Sequence, residues 1–166
     1  MRVRLDGSDL NDSRLSWLCV APFLEPLRGK SEAQKASVYR NLNEGQKALW
    51  MFYIYHNHAR SEAECYWFAY YFIAELPAWD EIKKASLFFN RPELCRVYEG
   101  LEEAVRAVNG PAADGWRKAT ASDLDADPVL RQTIVSLYER YRTESTAMIE
   151  AMNGYVRANE GQFIEA

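Results

Sequence analysis

Long apolar runs are the first thing missing from this 166-residue chain. The best candidate, 48–74, is interrupted by His56, Asn57, His58, Arg60, Glu62 and Glu64. A membrane span needs about 18 or more apolar residues in sequence, so no membrane partner is expected. Cysteine is scarce as well. The three residues, Cys19, Cys65 and Cys95, are odd in number and show no CxxC spacing. That pattern argues against a disulfide framework or a zinc or redox pair, and it predicts reduced, buried thiols in a cytoplasmic protein. The opening MRVRLDGSDLNDS carries charge with no apolar stretch behind it, so a secretory signal is not expected.

Basic blocks are absent too. The net charge is −4 and the signs are mixed along the chain. A nucleic-acid partner, which requires many phosphates to be neutralised, is therefore not expected. The phosphate-cradling patterns GxxxxGK[ST] and GxGxxG do not occur, nor does the nucleophile pattern GxSxG, and no cofactor is implied. DLDADP at 123–128 resembles the start of a calcium loop, but such a loop needs Gly at its sixth position and Glu at its twelfth. Counting from Asp123, Pro128 and Ile134 stand there. No segment alternates apolar and polar residues, so little or no sheet is expected.

What remains is a globular mix, 48% hydrophobic and 27% charged. One domain over 1–166 accommodates it, with a core that buries on the order of 70% of the unfolded chain's surface. The punctuation is helical. SEAQ at 31–34 and SEAE at 61–64 fit the capping box, NEGQ at 43–46 offers Asn43 as a cap, and Asp127-Pro128 pairs a cap with a proline at the first helical position. These signals predict an all-α bundle of about six to eight helices. Their spans are 13–20, 22–28, 31–42, 44–57, 61–75, 78–89, 92–109 and 128–158. The last carries Leu130, Ile134, Leu137, Tyr141, Met148, Met152 and Tyr155 on one face, and 92–109 repeats the pattern with Leu94, Val97, Leu101, Val105 and Val108. Between them 110–127 reads as a polar loop of roughly seventeen residues, long for a compact domain, with Trp116 placed to pin it to the body.

The informative segment is the central hairpin. Half of the chain's aromatic residues fall within 50–79, and both helices there are apolar around most of their circumference. Few helices of a small domain are enclosed on every side, so part of that surface should face a cavity or a partner. Tyrosine sharpens the point, because each buried hydroxyl needs a partner that a phenylalanine would not. The hairpin 46–75 is accordingly read as a non-catalytic binding module. It would serve self-association as a homodimer, a protein partner, or a small apolar ligand. The candidate residues are Trp50, Tyr53, Tyr55, His56, Trp67, Tyr70, Tyr71 and Glu75.

Both histidines lie in the same segment. With a chain break at 57–60, His56 closes the first helix, where the dipole favours a protonated ring, and Glu62 and Glu64 open the second. The alternative is a metal-dependent or acid/base enzyme centred on His56, His58 and Glu62. An unbroken helix would put His58, Glu62 and Cys65 on one face, three residue types that coordinate transition metals. A Cys65–histidine nucleophile lacks a third orienting residue, and burial in the core is the simpler account of the thiol.

Overall fold

The computed structural model describes residues 1–165, and among them every regular element is helical. The helices are α1 (Leu15–Leu24), α2 (Glu32–Arg40), α3 (Glu44–His56), α4 (Glu62–Tyr70), α5 (Trp79–Phe88), α6 (Pro92–Asn109), α7 (Ser122–Ala126), α8 (Pro128–Ala158) and α9 (Glu160–Phe163). The capping chemistry accounts for most of the starts. Ser31 and Asn43 each accept from the backbone N–H three residues on while Gln34 and Gln46 reach back, closing two capping boxes. Asp127 accepts from the N–H groups of both Val129 and Leu130 at 3.0 Å and launches α8.

The longest helix organises the rest. α8 buries Leu130, Ile134, Leu137, Tyr141, Met148, Met152 and Val156 along one stripe and packs on α6, α1 and α4. Ser145 occupies the gap in the middle of that stripe, its hydroxyl donating to the Arg142 carbonyl. Tyr155, expected on the buried face, is only half-buried, because Val156 takes the inward position one residue later. α6 buries Leu94, Val97, Tyr98, Leu101 and Val105 on its own inward face, while Val108 stays half-buried. α5 bridges α6 to α3. A buried polar clamp locks α1 in place. Asn153 accepts from the Ser16 N–H at 2.8 Å and donates to the Ser13 carbonyl at 2.7 Å, and the Ser16 hydroxyl meets that of Tyr53 at 2.8 Å. The chain ends are tied by one parallel bridge, Val3 donating to the Phe163 carbonyl and Glu165 to the Val3 carbonyl, both at 2.8 Å.

Three expectations need correcting. The break expected at residue 21 is absent: α1 runs through Pro22, which lies in its last turns and removes a single intrahelical N–H, and a short 3₁₀ turn, Glu25–Leu27, follows directly. The segment 110–127 is not loop throughout, because α7 forms where Leu124 can bury its side chain. Asp123 secures that turn, pairing with Arg117 at 3.0 Å and accepting from Thr120. Burial alone would raise its pKa, but these donors hold the carboxyl well below the usual range. Finally, 61–75 is not one α-helix. After Tyr70 the chain widens into a π-turn, Tyr71–Glu75, in which the Leu76 N–H donates to the Tyr71 carbonyl at 2.8 Å. None of the helices among the described residues is long and apolar enough to cross a membrane.

Candidate functional site

The turn between α3 and α4 decides how the central residues are placed. The N–H groups of Asn57, His58 and Ala59 fold back onto the carbonyls of Tyr53 and Tyr55 at 3.0–3.1 Å, ending α3. Ser61 accepts the Glu64 N–H at 3.2 Å and starts α4. Glu64 then accepts from the Arg60 N–H at 3.1 Å, one residue before the partner a capping box would use. Two helices therefore form, and the line of His58, Glu62 and Cys65 that a continuous helix would create does not exist.

The helices of the hairpin take different neighbours. α3 packs on α1 and α5, whereas α4 packs on α6 and α8. Where they part, a groove of about 900 Å³ opens. Its floor is α3, with Trp50, Tyr53 and Ile54; one wall is α4 and the π-turn, with Trp67, Phe68 and Tyr71; the other is α2 and the segment between α1 and α2, with Leu27 and Tyr39. The rings are ordered against each other. Trp67 stacks on Tyr71 at 5.6 Å and 11°, and Tyr39 meets Trp50 edge-on at 5.8 Å. Tyr71 and Phe72 of the π-turn both border the cavity, and such turns recur at functional sites. α2 contributes a wall with none of its residues fully buried, only Val38 and Tyr39 packing against the core.

The groove is polar at one end. Arg28, His58, Arg60 and Glu64 gather around the C-terminal end of its α3 floor. His58 is exposed and stacks on Phe68 at 4.2 Å and 17°. Its pKa is lowered, first by partial burial and then by the charges of Arg28 and Arg60. Lys35 and Glu32, also on the rim, pair with each other at 2.7 Å.

Of the residues singled out in the sequence, Trp50, Tyr53, Trp67 and Tyr71 meet in this groove, with His58 at its polar end. The others lie elsewhere. Tyr55 is fully buried, its ring edge-on to Trp79, Tyr98 and Tyr141 at 5.1–5.7 Å, and its hydroxyl donates to the Cys65 carbonyl at 2.9 Å. Tyr70 is buried against Trp116 on the side of the 110–121 segment. Glu75 is exposed at the end of the π-turn. His56 is half-buried, stacked on Phe52 at 4.8 Å, with Nδ1 2.9 Å from the Tyr141 hydroxyl. The tautomer carrying its proton on Nε2 lets Tyr141 donate to Nδ1. The ring borders a second, polar cleft of about 320 Å³ that also includes Arg60, Tyr138 and Arg142.

The dipole argument for a protonated His56 fails here. Burial, with Arg60 adding to it, pulls the ring's pKa down to about 4, so it is neutral at pH 7. Nor do His56, His58 and Glu62 converge. Each histidine is committed to its own aromatic stack, and no group of three His, Cys, Asp or Glu side chains among the described residues is placed to hold a metal. The Cys65 thiol is sealed beneath Tyr55, and burial pushes its pKa up to about 12, which removes the thiolate a nucleophile needs. Sequence reasoning did not find Leu27, Arg28, Tyr39, Ile54 or Phe68 as groove residues. Leu27, Arg28 and Tyr39 are remote from the hairpin in sequence, and no motif marks them.

No known family model, curated protein or solved structure matches this chain.

Proposed function

We propose that this protein is a non-catalytic binding module that holds a small apolar ligand in the groove between α2, α3 and α4. One observation carries the reading: a cavity of about 900 Å³ whose floor and walls are mainly aromatic and aliphatic. That volume lies in the upper part of the roughly 300–1,000 Å³ range of small-molecule sites, and the mixture of rings with a few polar groups is the usual lining of such sites. A concave shape supports a small ligand over a second copy of the chain, which would need a broad face of about 800 Å² per partner. Two of the hairpin rings that were candidates for such a face, Tyr55 and Tyr70, are used up in the chain's own core. An acid/base or metal enzyme centred on His56, His58 and Glu62 draws no support from the geometry described above. Three free, buried thiols fit a reducing compartment, so a cytoplasmic setting belongs to the same proposal.

The test is a titration with 1-dodecanol, a neutral apolar probe, followed by tryptophan fluorescence below its solubility limit. Saturable one-to-one binding is expected. Charging the floor with Ile54→Glu, or the wall with Phe68→Glu, should abolish it while far-UV circular dichroism is preserved. Binding that is absent, or that survives both substitutions, overturns the proposal.

A further inference from the structure

Within the proposed reading, on which this inference rests, the charges around the groove select among apolar ligands. The rim carries Arg28, Lys35 and Arg60 against Glu32 and Glu64, an excess of cations in a chain whose net charge is −4. Lys35 is neutralised by Glu32 at 2.7 Å. Arg28 and Arg60 have no ion-pair partner among the described residues, and Glu64 is engaged with the Arg60 backbone N–H. The charges of both arginines act on His58.

The two arginines also sit at one end. The floor of the groove runs from Trp50 to His58 along α3 and its C-terminal turn, roughly 12 Å at 1.5 Å per residue. At the Trp50 end the walls are Tyr39, Leu76 and Ala78, and the one nearby cation, Lys47 over the Tyr39 ring, is paired with Glu44 at 2.8 Å; at the His58 end stand Arg28 and Arg60, which have no such partner among the described residues. A neutral hydrocarbon would leave both guanidinium groups unused, and a cationic amphiphile would be repelled.

We propose that the ligand is a single-chain amphiphile with a carboxylate head, a fatty-acid-like molecule. Its chain lies along Ile54, Trp67 and Tyr71 toward Trp50, and its carboxylate is held between Arg28 and Arg60. Guanidinium groups suit the task because their planar fork meets a carboxylate through two parallel N–H donors. The neutral His58 ring caps the junction between head and chain without adding charge of its own at pH 7.

The experiment compares dodecanoate, 1-dodecanol and dodecylammonium, each below its critical micelle concentration, by tryptophan fluorescence titration. Wild type and the double variant Arg28→Gln/Arg60→Gln are measured in parallel. Wild type is expected to bind dodecanoate about tenfold or more tighter than dodecanol, the increment of a charge-assisted hydrogen bond, and dodecylammonium weakest. The double variant should lose the preference for the acid, binding dodecanoate no tighter than dodecanol. Shortening the acid from twelve to ten carbons should weaken wild-type binding about fourfold per methylene removed. Equal binding of acid and alcohol by wild type overturns the head-group assignment while leaving the apolar groove intact. A preference that persists in the double variant overturns the role of the two arginines. Failure of all three probes to bind overturns this inference and the proposed function together.

Discussion

Lowering the pH should destabilise this fold through one imidazole well before its carboxylates protonate. His56 has an ordinary pKa near 6.5 and a folded value of about 4, set by burial and secondarily by Arg60. Because the folded value is the lower one, the unfolded chain takes up the proton first as pH falls. Stability is then fully present above about pH 6.5 and is lost progressively down to about pH 4. Integrating the two titrations, the loss is about 2 kcal/mol between pH 7 and pH 5 and about 3 kcal/mol by pH 4. These are upper bounds, since the ring borders an open cleft. The control is His56→Asn, whose Oδ1 stands near the position of Nδ1 and can still accept from Tyr141. It forfeits the stack on Phe52 and should be the less stable protein at pH 7. Urea unfolding at pH 7, 6 and 5, followed by circular dichroism, compares the two. The stability gap should shrink by about 2 kcal/mol from pH 7 to pH 5, because only the wild type carries this titrating ring; His58 and the carboxylates are common to both. A gap that stays constant across this range would refute the reasoning, since His56 would then titrate alike in folded and unfolded chains.

Three further outcomes follow from packing and polar burial. Asn153→Ala strips the acceptor from the Ser16 N–H and the donor from the Ser13 carbonyl. Two orphaned backbone groups should lower unfolding stability by about 2–3 kcal/mol in urea titrations, with the slope unchanged. Gly45→Ala would ordinarily help a helix, but the new Cβ would lie 2.7 Å from Phe163 Cζ and 3.0 Å from Tyr155 Cε1. The crowding should reverse the sign and cost about 1–2 kcal/mol, read as a lower Tm. Asp123→Ala removes the partner of Arg117 and an acceptor for Thr120. Amide exchange should accelerate across 110–121 while the protection of α8 is kept.

The parts of the fold written most clearly in the sequence are those governed by local rules. α6 and α8 follow their three-and-four spacing of Leu, Val, Ile and Met, and Ser31, Asn43, Ser61 and Asp127 all cap the helices they announce. The gap expected at residue 21 does not form because a helix tolerates the loss of one N–H, at Pro22, near its end, and α7 escaped because its one anchor, Leu124, has no periodic companion in so short a segment. The candidate site was legible as a concentration of rings and little more. Which rings face a cavity depends on tertiary neighbours: Tyr55 and Tyr70 are as tyrosine-like as Tyr53 and Tyr71, yet α5, α6 and α8 enclose the first and the Trp116 segment covers the second. Arg28 reaches the groove from beyond α1, thirty residues before His58 in the chain, and no local signal joins the two. The dipole favours a cation at the end of α3, but at His56 the loss of water around the ring outweighs it.

The central claim is that an apolar chain enters the groove over α3. The most direct measurement is the ¹⁵N–¹H spectrum of the five tryptophan indoles during titration with dodecanoate. Trp50 and Trp67 line the groove, whereas Trp79 donates to the Tyr98 carbonyl inside the core and Trp116 packs on Tyr70 and Arg106. Saturable shifts of the Trp50 and Trp67 indoles, with Trp79 and Trp116 unmoved, are the predicted result. Shifts confined to Trp79 or Trp116, or no shift in any indole, would contradict the account.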